Sequence, residues 1–205
     1  MGIPIDIPGL KQAIPEIPDG SLILIEGQLD PIKTFFVLYI GCNGHRLGRK
    51  VVFVTSKHES EVEKQLSHYD LGENGFEIIH ERSARHWLDF IEKDSILIID
   101  SFSYLMLDKS LYEFRDNLED LRKKCKKNNA IVLMTIVDGM LEDKQEATVG
   151  YLADGVFRFL TKETSVGISR FIRIPKWMGR VAYDTDIHYS FDGKSMKVDM
   201  RSRVR

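Results

Sequence analysis

Five short runs rich in Val, Ile and Leu constrain the fold most: "SLILIE" (21–26), "KVVFVT" (50–55), "FEIIH" (76–80), "SILIID" (95–100) and "AIVLMT" (130–135). None alternates apolar and polar residues throughout, so each reads as a strand buried on both faces, the mark of a parallel sheet covered by helices. The polar segments between them predict helices at about 32–44, 60–69, 83–92 and 110–128. In the last, Leu111, Phe114, Leu118 and Leu121 recur every third or fourth residue and form one apolar face, with Arg, Lys, Asp and Glu on the other. Ser60 followed by Glu63 reads as a capping box for the second helix.

After Asp154 the pattern changes to closely spaced strand-like pieces, "GVFRFL" (155–160), "ISRFIRI" (168–174), "HYSF" (188–191) and "MKVDM" (196–200), divided by turn signals such as "FDGKS". The expectation is an α/β fold: a mostly parallel sheet flanked by helices, with a C-terminal antiparallel extension. A chain of 205 residues, 43% hydrophobic, can close one sizeable core without metal or disulfide staples, so a single domain over residues 1–205 is expected. Cys42 and Cys125 fall in helix-like segments without zinc or C-x-x-C spacing, and read as buried thiols in a reducing compartment.

No run approaches the roughly 18 apolar residues of a membrane span. The start, "MGIPIDIPGL", lacks the charged-then-apolar layout of a signal peptide, so a cytoplasmic protein with no membrane partner is expected. The net charge of -2 gives no pull toward nucleic acid. The basic clusters "RKKCKK" (122–127) and "RSRVR" (201–205) read as a solvated helix end and a chain terminus, and residues 135–155 hold no basic loop rich in Gly and aromatics. His58, His80, His86 and His188 are scattered with no i, i+4 pair, which gives a metal site no support. Ser101 follows Asp100 but lies in no G-x-S-x-G elbow, so a hydrolase is discounted.

One stretch carries a hint of chemistry. In "IEGQLDPIKTFF" (25–36), Gly27, Lys33 and Thr34 occupy three positions of the phosphate-loop pattern G-x-x-x-x-G-K-[ST], after an apolar strand and before an apolar helix. Such a loop binds phosphate because backbone N–H groups converge on the anion, the helix adds its positive end and the lysine adds charge.

Beyond that loop, "IPGL" (7–10), "PDGSLILIEG" (18–27), "KTFFVLYI" and "GRKVVFVT" (48–55) resemble, in order, the opening of KaiC and RadA-type proteins of the RecA superfamily. "SILIIDS" is similar to that family's Walker B strand, which implies that Asp100 would reach a magnesium shell. "YLADGVFRF" (151–159) and "RFIRIPKWMGR" (170–180) resemble the family's "LADGV" and "K-M-R-G" segments. The resemblance implies a RecA-like, KaiC-type fold over nearly the whole chain. It implies a nucleotide site at Gly27, Lys33, Thr34 and Asp100, here read as vestigial.

The departures bear on chemistry. Where the family places glycines in the loop, this chain has Asp30 and Ile32, and Pro31 removes a backbone N–H. Each lost charge-assisted hydrogen bond is worth about 1.5–3 kcal/mol. The family's Glu-Glu pair, which orients the attacking water, aligns with Lys57 and His58, with Glu59 one step later. Of the Lys and Arg that reach a neighbour's γ-phosphate in hexameric relatives, Lys176 remains, Trp177 and Met178 replace Met and Arg, and Arg180 is out of register.

The leading expectation is therefore a catalytically inactive KaiC/RecA-like protein without a cofactor, acting on a protein or peptide partner or in a homo-oligomer or a hetero-oligomer with an active relative. In that reading "MGIPIDIPGL" either adds to a neighbour or lies along its own domain. The alternative is a slow ATPase that binds ATP or ADP with magnesium through Gly27, Lys33, Thr34 and Asp100. A third reading, an accessory factor in DNA repair or recombination, rests on fold analogy alone.

Overall fold

The computed structural model describes residues 2–71, 75–82, 86–165, 167–178 and 183–199. Its first half comprises β1 (Ile3–Pro4), α1 (Leu10–Ala13), β2 (Glu16–Ile17), β3 (Leu22–Gly27), α2 (Ile32–Arg46), β4 (Val51–Thr55), α3 (Glu59–His68), β5 (Glu77–His80) and a 3-10 turn (Trp87–Phe90). There follow β6 (Ile96–Asp100), α4 (Phe102–Leu105), α5 (Leu111–Lys127), β7 (Ile131–Val137), α6 (Asp143–Leu152), β8 (Gly155–Thr164), β9 (Gly167–Trp177), β10 (Tyr183–Phe191) and β11 (Met196–Asp199).

One nine-stranded sheet runs in the order β11-β10-β9-β8-β3-β7-β6-β4-β5. From β8 to β5 every neighbouring pair is parallel, and from β8 outward to β11 every pair is antiparallel. The α/β class and the C-terminal antiparallel extension are those expected from the sequence.

The continuous apolar runs are explained by burial on both sides. In β3, Ile23 and Ile25 face one core with α2, α3 and the N-terminal segment, while Leu22 and Leu24 face a second core with α4, α5 and α6. Phe53 and Val54, then Ile98 and Ile99, divide in the same way. Helix α2 is apolar almost all round because it is itself covered. Ile3, Ile5, Ile7 and Leu10 join its core, β1 pairs with β2, and Asn43 Nδ2 donates to the Pro4 carbonyl at 3.3 Å. The described part of "MGIPIDIPGL" thus lies along its own domain.

Several expectations need correction. No helix spans 83–92: residues 83–85 lie outside the described residues, and Trp87–Phe90 form a 3-10 turn after His86, which has a left-handed backbone. The turn buries Trp87 against Phe102, ring centroids 5.4 Å apart. Ser60 and Glu63 make no capping box, since α3 begins at Glu59 with His58 as its N-cap, and Glu59 and Glu61 supply negative charge to the first turn instead. True boxes stand at Ser110–Glu113 and Glu142–Gln145. Leu111 is 41% exposed at the start of α5, whereas Phe114, Leu118 and Leu121 are buried and Cys125 extends their face. The "RSRVR" tail, Met200 and Arg180 fall outside the described residues.

In the turn between β10 and β11, Asp192 accepts from the backbone N–H groups of Ser195 and Lys194, which holds its carboxyl at about 2. Burial pushes the Cys42 and Cys125 thiols up to about 11 and about 12, so neither is a reactive thiolate at neutral pH.

The core on the α2 side of the sheet is tested at Phe36, whose ring meets those of Phe157 and Phe159 at 5.1 and 5.5 Å. Phe36→Ala is expected to lower unfolding stability by about 3–5 kcal/mol in a urea titration. Leu111→Ala, on the solvent side, is expected to change it by about 0.5 kcal/mol or less.

Candidate functional site

The loop that follows β3 is shaped by its neighbours. Gly27 has φ 155°, and a Cβ there would run into the carbonyl oxygen of Phe159 on the paired strand β8. Glycine is required by that close approach, with or without a ligand. The chain then turns through residues 28–30 into α2, with Pro31 at the N-cap (φ -65°), where its missing N–H is no loss. Asp30 Oδ1 accepts from the Ile32 N–H at 2.8 Å, and Asp30 Oδ2 lies 3.9 Å from Arg170 Nε of β9. Ile32, only 1% exposed, packs into the core under α2.

Lys33 turns back on the loop. Its Nζ donates to the carbonyl oxygens of Gly27, at 3.0 Å, and of Gln28. Burial lowers its pKa, opposed by the carboxylates of Asp138, Asp100 and Asp30. Thr34, one residue on, donates through Oγ1 to Asp100 Oδ2 at 2.9 Å. Thr135 of β7 donates to Asp100 Oδ1 at 2.6 Å, and Lys57, just beyond β4, places Nζ 3.3 Å from Oδ2.

β3, β7, β6 and β4 are neighbouring parallel strands, so these groups meet at their shared C-terminal edge, where open α/β sheets carry their ligands. Gly27, Lys33, Thr34 and Asp100, read as a site from the sequence, are thus brought together. Missing from that reading were the Asp30 cap, the Thr135 hydroxyl and the Lys57–Asp100 ion pair. Thr135 gave no signal beyond ending an apolar run, and Lys57 was noticed only as a replacement for a carboxylate.

The other candidates have structural duties. His58 is the N-cap of α3, and its ring lies 6.2 Å from that of His80, whose Nδ1 is 3.1 Å from the Lys57 carbonyl. Glu59 is exposed in the first turn of α3. Ser101 caps α4 and contacts the Ser103 hydroxyl at 2.8 Å. Lys176 Nζ donates to the Gly150 and Tyr151 carbonyls at 3.1 and 2.7 Å, closing the C-terminal end of α6.

In "LADGV", Asp154 Oδ2 accepts from the Leu22 N–H at 3.1 Å, and Arg122 and Lys126 pair with Oδ1. A Cβ on Gly155 would meet the buried Trp177 ring at 2.6 Å. Within "RKKCKK", Arg122 and Lys126 are thus tied to Asp154, and Lys123 lies near Glu119 and Asp120. Among the described residues no group of three His, Cys, Asp or Glu side chains is placed to hold a metal, and no helix is long and apolar enough to cross a membrane.

Asp100→Ala tests the cluster. Removing the carboxylate strips the acceptor from Thr34, Thr135 and Lys57, and each buried donor left unpaired costs about 1–3 kcal/mol. The urea midpoint is expected to fall accordingly. Thr135→Val in the Asp100→Ala background is expected to cost less than in the wild type, since the two residues share one hydrogen bond.

No curated protein matches the sequence. Among solved structures, the flagellar accessory protein FlaH from Methanocaldococcus jannaschii superposes with a TM-score of 0.81 at 19% identity, covering 97% of this chain and 98% of FlaH. The KaiC-like protein PH0186 from the hyperthermophilic archaeon Pyrococcus horikoshii OT3 gives 0.76 at 18% identity, covering 97% of this chain and 99% of that one. These likenesses establish the RecA/KaiC-like fold. A model for a family of unknown function, DUF7125, matches residues 46–204, well over half of the chain, and the match begins after the Gly27–Thr34 loop. The chain is therefore a member of the DUF7125 family, with a RecA/KaiC-like fold.

Proposed function

We propose that this chain is a KaiC/RecA-like protein that does not hydrolyse nucleotide and works as a binding or regulatory partner in the cytoplasm. Its counterpart would be a protein or peptide, a second copy of itself, or an active relative in a mixed oligomer. The observation that carries the reading is the Lys57 ammonium on the Asp100 carboxylate.

A magnesium ion at Asp100 would have to compete with that ammonium, and both carboxylate oxygens already have donors within the chain. A phosphate on the loop would lack an N–H from Pro31, would need the Ile32 N–H that Asp30 accepts, and would meet the Asp30 charge. As arranged, the residues do not fit a magnesium nucleotide, and the site residues Gly27, Lys33, Thr34 and Asp100 read best as vestigial. Lys176, bound to the α6 carbonyls, is committed within its own chain. No carboxylate stands at Lys57 to deprotonate water.

A partner role draws support from the surface. Tyr104, Leu107, Leu111 and Tyr112 are all exposed on the stretch that leaves β6 just after Asp100. Leu29, 88% exposed, tops the loop at the same edge of the sheet. Exposed apolar residues of this kind, with Leu47, Tyr151 and Ile168 elsewhere, are surface that a partner could cover. The accessory role named for FlaH belongs to FlaH, and at 19% identity it adds only that this fold occurs in a protein described as accessory.

Calorimetric titration with Mg-ATP and Mg-ADP, on protein first checked for co-purified nucleotide, is expected to show no binding up to millimolar concentration. Micromolar binding that Lys33→Ala abolishes would overturn the reading in favour of a nucleotide switch or slow ATPase.

A further inference from the structure

We propose that the Lys57 side chain is a built-in replacement for a divalent cation at Asp100. The assignment rests on the non-hydrolytic reading above and gives its central contact a definite chemical role.

The Asp100 side chain is 6% exposed at the end of a central strand, and a carboxylate so placed needs a compensating charge. Hydroxyl donors from Thr34 and Thr135 stabilise it but carry none. Lys57 Nζ, at 3.3 Å, is the cation paired with it. The other ammonium of the cluster, on Lys33, is bound to the Gly27 and Gln28 carbonyls, and Arg170 faces Asp30. The Lys57 side chain is 33% exposed, so it reaches the carboxylate from the solvent side, the direction from which an ion would arrive.

The oxygens left if the ammonium were removed, Asp100 Oδ2 beside the Thr34 hydroxyl, are hard donors of the kind magnesium and manganese accept, with water completing the shell. Lys57 therefore makes the fold indifferent to metal, and its loss is expected to make the fold metal-dependent.

The test compares thermal unfolding of the wild type, Lys57→Arg, Lys57→Met and Lys57→Gln in EDTA, in millimolar magnesium, in millimolar manganese and in potassium chloride of equal ionic strength. Wild type and Lys57→Arg are expected to unfold at the same temperature in all four. Lys57→Met and Lys57→Gln are expected to unfold earlier in EDTA and to regain about 2–4 °C or more with manganese but not with potassium. Manganese bound to these variants, read by electron paramagnetic resonance, is expected to disappear when Asp100→Asn is added.

Both neutral variants are also refolded with and without manganese: recovery only with the metal supports the assignment, and recovery in neither overturns it. A wild type stabilised by magnesium or manganese overturns it too, as do folded neutral variants that ignore the metal. If the wild type ignores nucleotide while those variants ignore manganese, only the role of Lys57 falls. If the wild type binds or hydrolyses Mg-ATP, the non-hydrolytic reading falls first.

Discussion

A carboxylate buried at the end of a central strand has to be neutralised, and around Asp100 the edge of the sheet is organised to do so. β6 delivers the acid, β7 and α2 supply hydroxyl donors, and the residue after next beyond β4 supplies the cation. A few ångströms away Lys33 is satisfied by its own loop, and Asp30 ties that loop to α2 and faces β9. Asp100 and Asp30 face cations and Lys33 is hydrogen-bonded to its own loop, so the strand-to-helix junction is coherent without anything bound to it.

The same economy explains residues that look like losses when set against a phosphate loop. Ile32 is a core residue of α2, Pro31 suits a helix start, and Asp30 accepts the N–H that a phosphate would otherwise take. Gly27 persists because β8 passes too close for a side chain, so its presence is not evidence of nucleotide binding. Lys176 likewise has a helix end to close. A residue shared with an ATPase can thus be kept for packing, and only its contacts tell the two reasons apart.

The parallel part of the sheet was legible in the sequence because burial on both faces forces runs such as "SILIID" and "AIVLMT", and the antiparallel extension because its strands follow one another closely with turn residues between them. What escaped was set by tertiary contact. Helix α6 has little apolar periodicity, and its start was marked only by polar signals, the Glu142–Gln145 box and the acidic Asp143 and Glu146 of its first turn. The 83–92 segment has helical composition, but the demand to bury Trp87 beside Phe102 gives its described part a 3-10 turn instead. At the site, Gly27, Lys33, Thr34 and Asp100 could be named from spacing and resemblance. The Lys57–Asp100 pair spans 43 positions and depends on two strands lying side by side, which no local pattern records.

A crystal structure of the wild-type protein grown with millimolar magnesium and ADP bears most directly on whether this centre is closed by its own charges. The expected density has Lys57 Nζ within ion-pair distance of Asp100, Asp30 on the Ile32 N–H, and no nucleotide on residues 28–33. A phosphate seated on that loop, with Lys57 turned away and a magnesium ion beside Asp100, would contradict it.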